Sequence, residues 1–391
     1  MNGRTMERRK FIRATGIAGI AGLAGCTGGP SESGDDNTTT EPTTDSGGDG
    51  GDGGDMDTTT EDQSTTESGP SANIGMVYAL GGLGDGSFND QAQNGAQQAE
   101  EELGISFNEF QPSQSSEFQT FQRQAATATD PAYDLVCCIG FAQQSALSET
   151  APQYSDQNFM IVDAVVDEPN VDSYVFAEEE GSYLVGQLAG LLTTMEFGAG
   201  AGSTRSDSTN VGFVGGVEIP IIKKFEAGFT AGVKRANENV DVITNYVGGF
   251  NDPAGGREAA LSMYNSGADI IYHASGNTGT GVFQAAQSQG RYAIGVDADQ
   301  SVTKSGFADV ILASMVKRVD TAVLNSIESV VNGEFSTGTT ALALADDGVG
   351  IVYGQQLGGD IPSSVQSAIG DSRQRIIDGE IDVPTDPANV S

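Results

Sequence analysis

The sequence reads as an α/β protein built from two doubly wound domains joined by a hinge. Three observations predict this. From residue 73 onward, short apolar runs alternate with stretches of helical periodicity. The runs have strand length and are near-continuously apolar, as parallel strands covered on both faces require. The whole theme restarts at Val211, so two sheets of about 100 residues each fit better than one large sheet.

The elements follow in order. Ile74–Ala79 is an apolar strand, then comes a glycine-rich turn and a helix from about Asp90 to Leu103. Ile105–Phe110 is a second strand, Ser116–Thr129 a helix, Leu135–Gly140 a third strand, Ala142–Thr150 a helix and Phe159–Asp163 a fourth strand. The second half repeats the pattern with Val211–Gly215, a helix at Phe225–Asn237, a strand at Val240–Val247, a helix at Ala254–Ser266, a strand at Ile270–Ala274, a helix at Gly281–Gln289 and a strand at Ala293–Val296. The chain is expected to cross between lobes near Ala177, Ser301 and Asp346. Residues 73–176 with 302–345 then form one lobe, and 177–301 with 346–391 the other.

The N-terminal segment does not read as part of the fold. Arg8 and Arg9 precede Phe11, and a small-residue apolar stretch runs from Ala14 to Gly25. It is too short to span a bilayer and suits a signal h-region. The paired arginines resemble a twin-arginine export signal, and Leu23-Ala24-Gly25-Cys26 resembles a lipobox. Residues 1–25 are therefore expected to be cleaved and Cys26 to carry lipid on the outer face of the cell membrane. Residues 27–72 are Gly, Ser, Thr, Asp and Glu with almost no large apolar side chain, a composition expected to remain a disordered tether.

The charge balance excludes several function classes. The chain carries 54 acidic against 18 basic residues, a formal charge of −36. Such a surface repels phosphate backbones and anionic membranes, so nucleic acid is not an expected partner. A carboxylate surplus with few lysines suits concentrated salt, where repulsion is screened, and points to a halophile. Most individual carboxylates are therefore background, and rarer residues carry more information.

Enzyme chemistry finds little support. The lone histidine, His273, lies inside a strand and reads as structural. No second histidine or suitable cysteine offers a metal site or a nucleophile–base pair. Cys137 and Cys138 are strand neighbours pointing to opposite faces, so they read as small core residues. The glycine loop Gly81–Gly86 lacks both the Gly-Lys-Ser/Thr ending and strict dinucleotide spacing, which makes it a weak phosphate signal. No cofactor is implied.

Ligands in doubly wound sheets sit beyond the carboxyl ends of the strands. Those ends read Gly82–Asn89, Gly140–Gln143 and Asp163 in the first half, and Gly215–Phe225, Gly248–Asn251, Ser275–Thr280 and Asp297–Gln300 in the second. Lys317 also stands out. It is one of only five lysines after residue 72 and lies in the largely apolar run Val310–Val319, where a buried charge must be paired or functional.

Several motifs now converge on one family. Asp85-Gly86-Ser87-Phe88-Asn89 resembles a "D-x-S-F-N" element, and Val211–Gly216, Pro220–Phe229, Ser275–Phe283, Ile294–Gln300 and Ser314–Asp320 follow in order. Over residues 73–355 the chain resembles the basic membrane protein family, also called purine nucleoside receptor A-like lipoproteins. The resemblance implies the type I periplasmic-binding fold and a role as solute-binding protein for an ABC permease and its ATPase. It also implies a nucleoside ligand, with a purine favoured. On that reading Phe88 and Phe225 face each other across a base, and Asp297 accepts two ribose hydroxyls. Asp163 reaches base or sugar, Lys317 holds Asp297 while donating to the ligand, and Asn89 reads a purine edge. One departure is Ala79-Leu80-Gly81, where the family commonly has an Asp in "T-D-x-G", and it leaves the base, or even a sugar, open. A nucleoside- or sugar-processing enzyme and a ligand-presenting sensor are the competing classes on the same fold.

Overall fold

The computed structural model describes residues 71–390. The expected export signal, Cys26 and nearly all of the tether lie outside the described residues. The first half contributes β1 (Asn73–Val77), α1 (Phe88–Leu103), β2 (Ser106–Phe110), α2 (Phe118–Ala126), β3 (Leu135–Cys138), α3 (Gln144–Thr150), β4 (Asn158–Val162) and β5 (Val171–Phe176). After α4 (Glu178–Thr193) and a hairpin of β6 (Gly198–Ala199) and β7 (Gly202–Ser203), the theme repeats. It runs through β8 (Asn210–Gly215), α5 (Pro220–Ala236), β9 (Asp241–Tyr246), α6 (Pro253–Asn265), β10 (Ala268–Ala274), α7 (Gly279–Gln289) and β11 (Tyr292–Asp297). The chain ends with α8 (Gln300–Thr303), β12 (Ile311–Lys317), α9 (Val319–Val331), β13 (Gly338–Leu342), β14 (Val349–Tyr353) and α10 (Ser363–Ile377).

Two six-stranded sheets result, ordered β2-β1-β3-β4-β5-β13 and β9-β8-β10-β11-β12-β14. The first is parallel throughout, and the second is parallel except where β14 runs against β12. The orders match position by position, so β4 corresponds to β11 and β5 to β12. In each half β1 or β8 is flanked by later strands on both sides, which places a switch-point crevice at its carboxyl end.

One expected boundary is corrected. Residues 302–345 were expected to return to the first lobe from Ser301, but β12 pairs with β11 and β14 and so belongs to the second sheet. The run Ile311–Met315 is fully buried and, apart from Ser314, apolar, and a central strand position is what hides it on both faces. The chain leaves the second lobe only after Lys317. There α9 packs on α1, and β13 extends the first sheet beside β5.

Helix starts also differ by a few residues from the periodicity. α5 begins at Pro220 rather than Phe225, because a proline at the first helical position lacks only an N–H that would be unpaired anyway. α6 begins at Pro253, with Asp252 Oδ1 accepting the Gly255 N–H at 2.9 Å.

The core wraps both sheets. Cys137 packs in the large central cluster and Cys138 in the outer cluster beneath α2 and α3, on opposite faces as strand neighbours must. Helices α4 and α5 approach closely because glycines face the partner backbone. A Cβ on Gly228 would stand 2.0 Å from the Glu179 carbonyl oxygen, and one on Gly232 2.0 Å from that of Tyr183. This approach brings the start of α5 against the start of α4, where two residues of the cleft meet.

Candidate ligand-binding cleft

The glycine loop after β1 is held by its own carboxylates. Asp85 accepts the N–H groups of Ser87 (2.8 Å) and Asn89 (3.0 Å), and Asp90 accepts those of Gly84 and Gly86 (both 2.7 Å). These are donors that a helix start otherwise leaves unpaired. Burial raises the Asp85 carboxyl above its ordinary range. Asn89 completes the loop, with Oδ1 accepting from Ala79 N (2.9 Å) and Nδ2 donating to Gly82 O (3.0 Å). The amide lines the cleft, and one contact at each of its polar ends shapes the loop, which leaves one N–H and one lone pair.

The same loop reaches the other lobe. Ser87 Oγ donates to Asp297 Oδ2, while Gln300 Nε2 and Thr303 Oγ1 donate to Gly86 O at 3.2 and 2.8 Å. Asp297 ends β11 with φ 63°, and Asp163 follows the corresponding strand β4 with φ 68°. Aspartate tolerates this left-handed conformation better than most residues. Two carboxylates are thus turned out of equivalent strand ends on opposite lobes.

Lys317 stands between the lobes at the end of β12. Its side chain is 2% exposed, and Nζ lies 2.6 Å from Asp163 Oδ1 and 3.1 Å from Glu178 Oε1. Its ammonium sits over the rings of Phe176 (5.0 Å), Phe88 (5.2 Å) and Phe225 (5.6 Å). Burial pulls its pKa down, but Asp163, Glu178 and Asp297 outweigh that and hold it above the ordinary lysine value. Burial pushes Asp163 up to about 6 against the pull of Lys317, and does the same to Asp297. The expectation that Lys317 holds Asp297 is corrected, since its close partners are Asp163 and Glu178 and Ser87 grips Asp297.

These side chains enclose a cavity of about 620 Å³. Phe88, Asn89, Asp163, Phe225, Asp297 and Lys317 all line it, so the structure brings every expected site residue together. The two phenylalanines converge on one ammonium, and Phe225 is also embedded in the central core. Also lining the cavity, Phe141 of the first lobe and Phe250 of the second meet edge-on at 6.3 Å between centroids.

Sequence reasoning did not single out Glu178, Phe176, Ser87, Phe141 or Phe250. Glu178 is lost among the acids of Glu178-Glu179-Glu180, although a buried glutamate must find a cation, and it finds both Lys317 and Lys224 (3.2 Å). Ser87 lay inside the recognised motif, where alternation with Phe88 could have flagged a second face. His273 is buried away from solvent, with Nε2 2.9 Å from Gln300 Oε1 and Nδ1 3.2 Å from Ser275 Oγ. Burial lowers its pKa to about 4.

A sequence model of the family described as "ABC transporter substrate-binding protein PnrA-like" matches residues 72–386. The chain is 33% identical over 331 residues to the "ABC transporter nucleoside-binding protein BmpA" of Lactococcus lactis, covering 79% of this chain and 88% of that protein. It is 31% identical over 332 residues to "Basic membrane protein D" of Borreliella burgdorferi, covering 83% and 91%. A crystal structure of an ABC transporter solute-binding protein from Aeropyrum pernix superposes with a TM-score of 0.70 at 28% identity, covering 80% of this chain and 93% of that one.

Proposed function

We infer the ligand of this chain from the fact that it belongs to the PnrA-like family of ABC transporter substrate-binding proteins, and we propose that it captures a nucleoside in the cleft. The observation that carries this reading is the chemistry around Lys317. Asp163 and Asp297 come from opposite lobes as acceptors, beside Phe88 and Phe225. A ribose offers hydroxyl donors in pairs and a base offers a flat apolar face, and the cleft provides for both. Ser87 occupies one oxygen of Asp297, which leaves Oδ1 for a ligand hydroxyl. The cavity volume falls within the range of about 300–1,000 Å³ usual for small-molecule sites. The name of the Lactococcus lactis relative points the same way.

Capture proceeds by closure of one lobe on the other, with the ligand favouring the closed state because it touches both. The protein then presents its ligand to a permease and ATPase. The site residues of this reading are Phe88, Asp163, Phe225, Asp297 and Lys317, with Asn89 acting through the loop. We read Cys26 as the lipid anchor and residues 27–72 as the tether holding the binding body outside the membrane.

The test is to incubate the protein in molar KCl with a nucleoside mixture, remove free ligand by gel filtration and extract what remains bound. One unchanged nucleoside per protein is expected. Recovery of free base and ribose would show hydrolysis, and recovery of no nucleoside would end the reading.

A further inference from the structure

We propose that Gln300 positions the Ser87–Asp297 contact that joins the lobes, and that His273 fixes the direction of the Gln300 amide. This rests on the cleft reading above, in which Asp297 receives the ligand. Gln300 and His273 are both fully buried and do not line the cavity. The Gln300 side chain folds back on the end of β11 and meets backbone at both of its polar ends. Its Oε1 accepts the Val296 N–H at 2.9 Å, one residue before Asp297, and its Nε2 donates to Gly86 O at 3.2 Å, one residue before Ser87. A backbone N–H can only donate and a carbonyl can only accept, so these two contacts fix which end of the amide is oxygen. One side chain thus holds both the strand end that bears Asp297 and the loop that bears Ser87, whose hydroxyl donates to Asp297 Oδ2 across the lobes. Thr303 Oγ1 adds a second donor to Gly86 O at 2.8 Å.

The imidazole of His273 completes the arrangement. Its Nε2 lies 2.9 Å from Gln300 Oε1, and its Nδ1 lies 3.2 Å from Ser275 Oγ. Burial lowers its pKa to about 4, so the ring is neutral at pH 7 and carries a single N–H. An amide oxygen can only accept, which places that proton on Nε2. Nδ1 is then the acceptor and the Ser275 hydroxyl the donor. Ser275 lines the cavity, so hydrogen bonds of determined direction run from the cleft floor through His273 and Gln300 to the loop of the first lobe. The fold makes room for both side chains with glycine. A Cβ on Gly295 would stand 2.8 Å from Gln300 Oε1, and one on Gly279 2.0 Å from the His273 ring. Gln300 N also donates to Ser314 Oγ at 3.0 Å, so its backbone is held as well. Packing alone would require neither the donor at Nε2 nor the direction of the amide.

The chain has one histidine, so nitrogen–proton correlation NMR of the wild type reads this imidazole without ambiguity. At pH 7 the proton is expected on Nε2 alone, and a proton on Nδ1 or on both nitrogens overturns the proposal. His273→Phe keeps a ring against Phe283 and removes the N–H, whereas His273→Gln keeps a side-chain N–H for Gln300 Oε1. Titration in molar KCl should show adenosine binding weakened about tenfold in His273→Phe and restored to within about threefold of the wild type in His273→Gln. Equal affinity in the wild type and His273→Phe, or no rescue by His273→Gln, overturns the positioning role. Hydrogen exchange reads the same role without a ligand. In Gln300→Met the peptide spanning Val296 and Asp297 should exchange about tenfold faster than in the wild type, with β8 unchanged. Unchanged exchange at that peptide, or the same acceleration in β8, also overturns the proposal. If the wild type binds no adenosine the nucleoside reading fails, and the imidazole proton and the exchange rates then decide this proposal by themselves.

Discussion

Replacing Lys317 by Met removes one charge and leaves most of the side-chain volume. The stem still packs against Phe88, Phe176 and Phe225, so the change isolates the ammonium. Its loss strands the buried carboxylates of Asp163 and Glu178. Breaking a buried pair from one side costs about 3–5 kcal/mol. Lys224 stays 3.2 Å from Glu178 and still neutralises part of the charge, so the lower end applies, about 3 kcal/mol at pH 8. For a body of about 320 residues, an unfolding entropy of roughly 2.1 cal/mol/K per residue makes this a fall in Tm of about 4–5 °C. The penalty should also depend on pH in one direction. Asp163 and Asp297 titrate at about 6 with the lysine present, and higher without it. Below that value both become increasingly protonated with or without the ammonium, so the penalty shrinks as pH falls from 8 to 5.5. Thermal unfolding in molar KCl, at several pH values, measures it with surface charges screened. A loss below 1 °C at pH 8, or the same loss at both ends of the range, would refute a buried, charge-compensating Lys317.

Four further outcomes follow from the same geometry. Asp297→Asn should weaken nucleoside binding by about 10- to 100-fold, the worth of a charge-assisted hydrogen bond of roughly 1.5–3 kcal/mol, and unchanged affinity by titration would remove Asp297 from the site. Nucleoside affinity in the wild type should hold above pH 6 and fall as Asp163 and Asp297 protonate below it, whereas Asp297→Asn should show a shallower fall in the same titrations. The empty protein should respond with the opposite sign: Asp297 binds its proton more tightly folded, at about 6, than at its ordinary 3.8, so Asp297→Asn should raise Tm at pH 8 relative to the wild type and lose that advantage by pH 4. Gly228→Ala should cost about 1–3 kcal/mol by forcing α5 off the Glu179 carbonyl, visible as a lower Tm and, through the displaced Lys224 and Phe225, as weaker binding.

Much of this was legible in the chain because parallel strands buried on both faces leave an unmistakable apolar run, and Ile74, Leu135, Ile270 and Ile294 mark four of them. The six site residues were legible for a different reason, since strand ends and ordered motifs point to the crevice without any knowledge of contacts. Partnership was not legible. Asp297 and Lys317 look like a natural pair in sequence, but Ser87, 210 residues away, has the shorter path to Asp297, and Lys317 turns to Asp163 and Glu178. Nor could the sequence place β12, because an apolar run beyond the repeated theme fits either sheet until its pairing with β11 and β14 is seen. In a chain this acidic Glu178 carried no signal at all. Only burial separates it from its neighbours.

The corrected position of β12 changes what Lys317 does. Had the chain crossed at Ser301, Lys317 would be an ordinary member of the first lobe's wall. Instead it is the last residue of the second sheet before the chain leaves that lobe at Arg318. Its ion partner Glu178 is the first residue of α4, just past the other crossing at Ala177, and Phe176 beneath the ammonium ends β5 of the first sheet. Two of the chain's crossings are therefore tied together at the point where both strand-end aspartates converge. Separating the lobes would pull Asp163 on one sheet away from Lys317 on the other while leaving Glu178 at the pivot. An open cleft then exposes a carboxylate to water and a closed one must neutralise it, so closure without a hydroxyl donor is opposed by the desolvation that already lifts Asp163 and Asp297. A ligand that supplies those donors removes the opposition in the closed state alone, and such differential interaction is what a population shift requires.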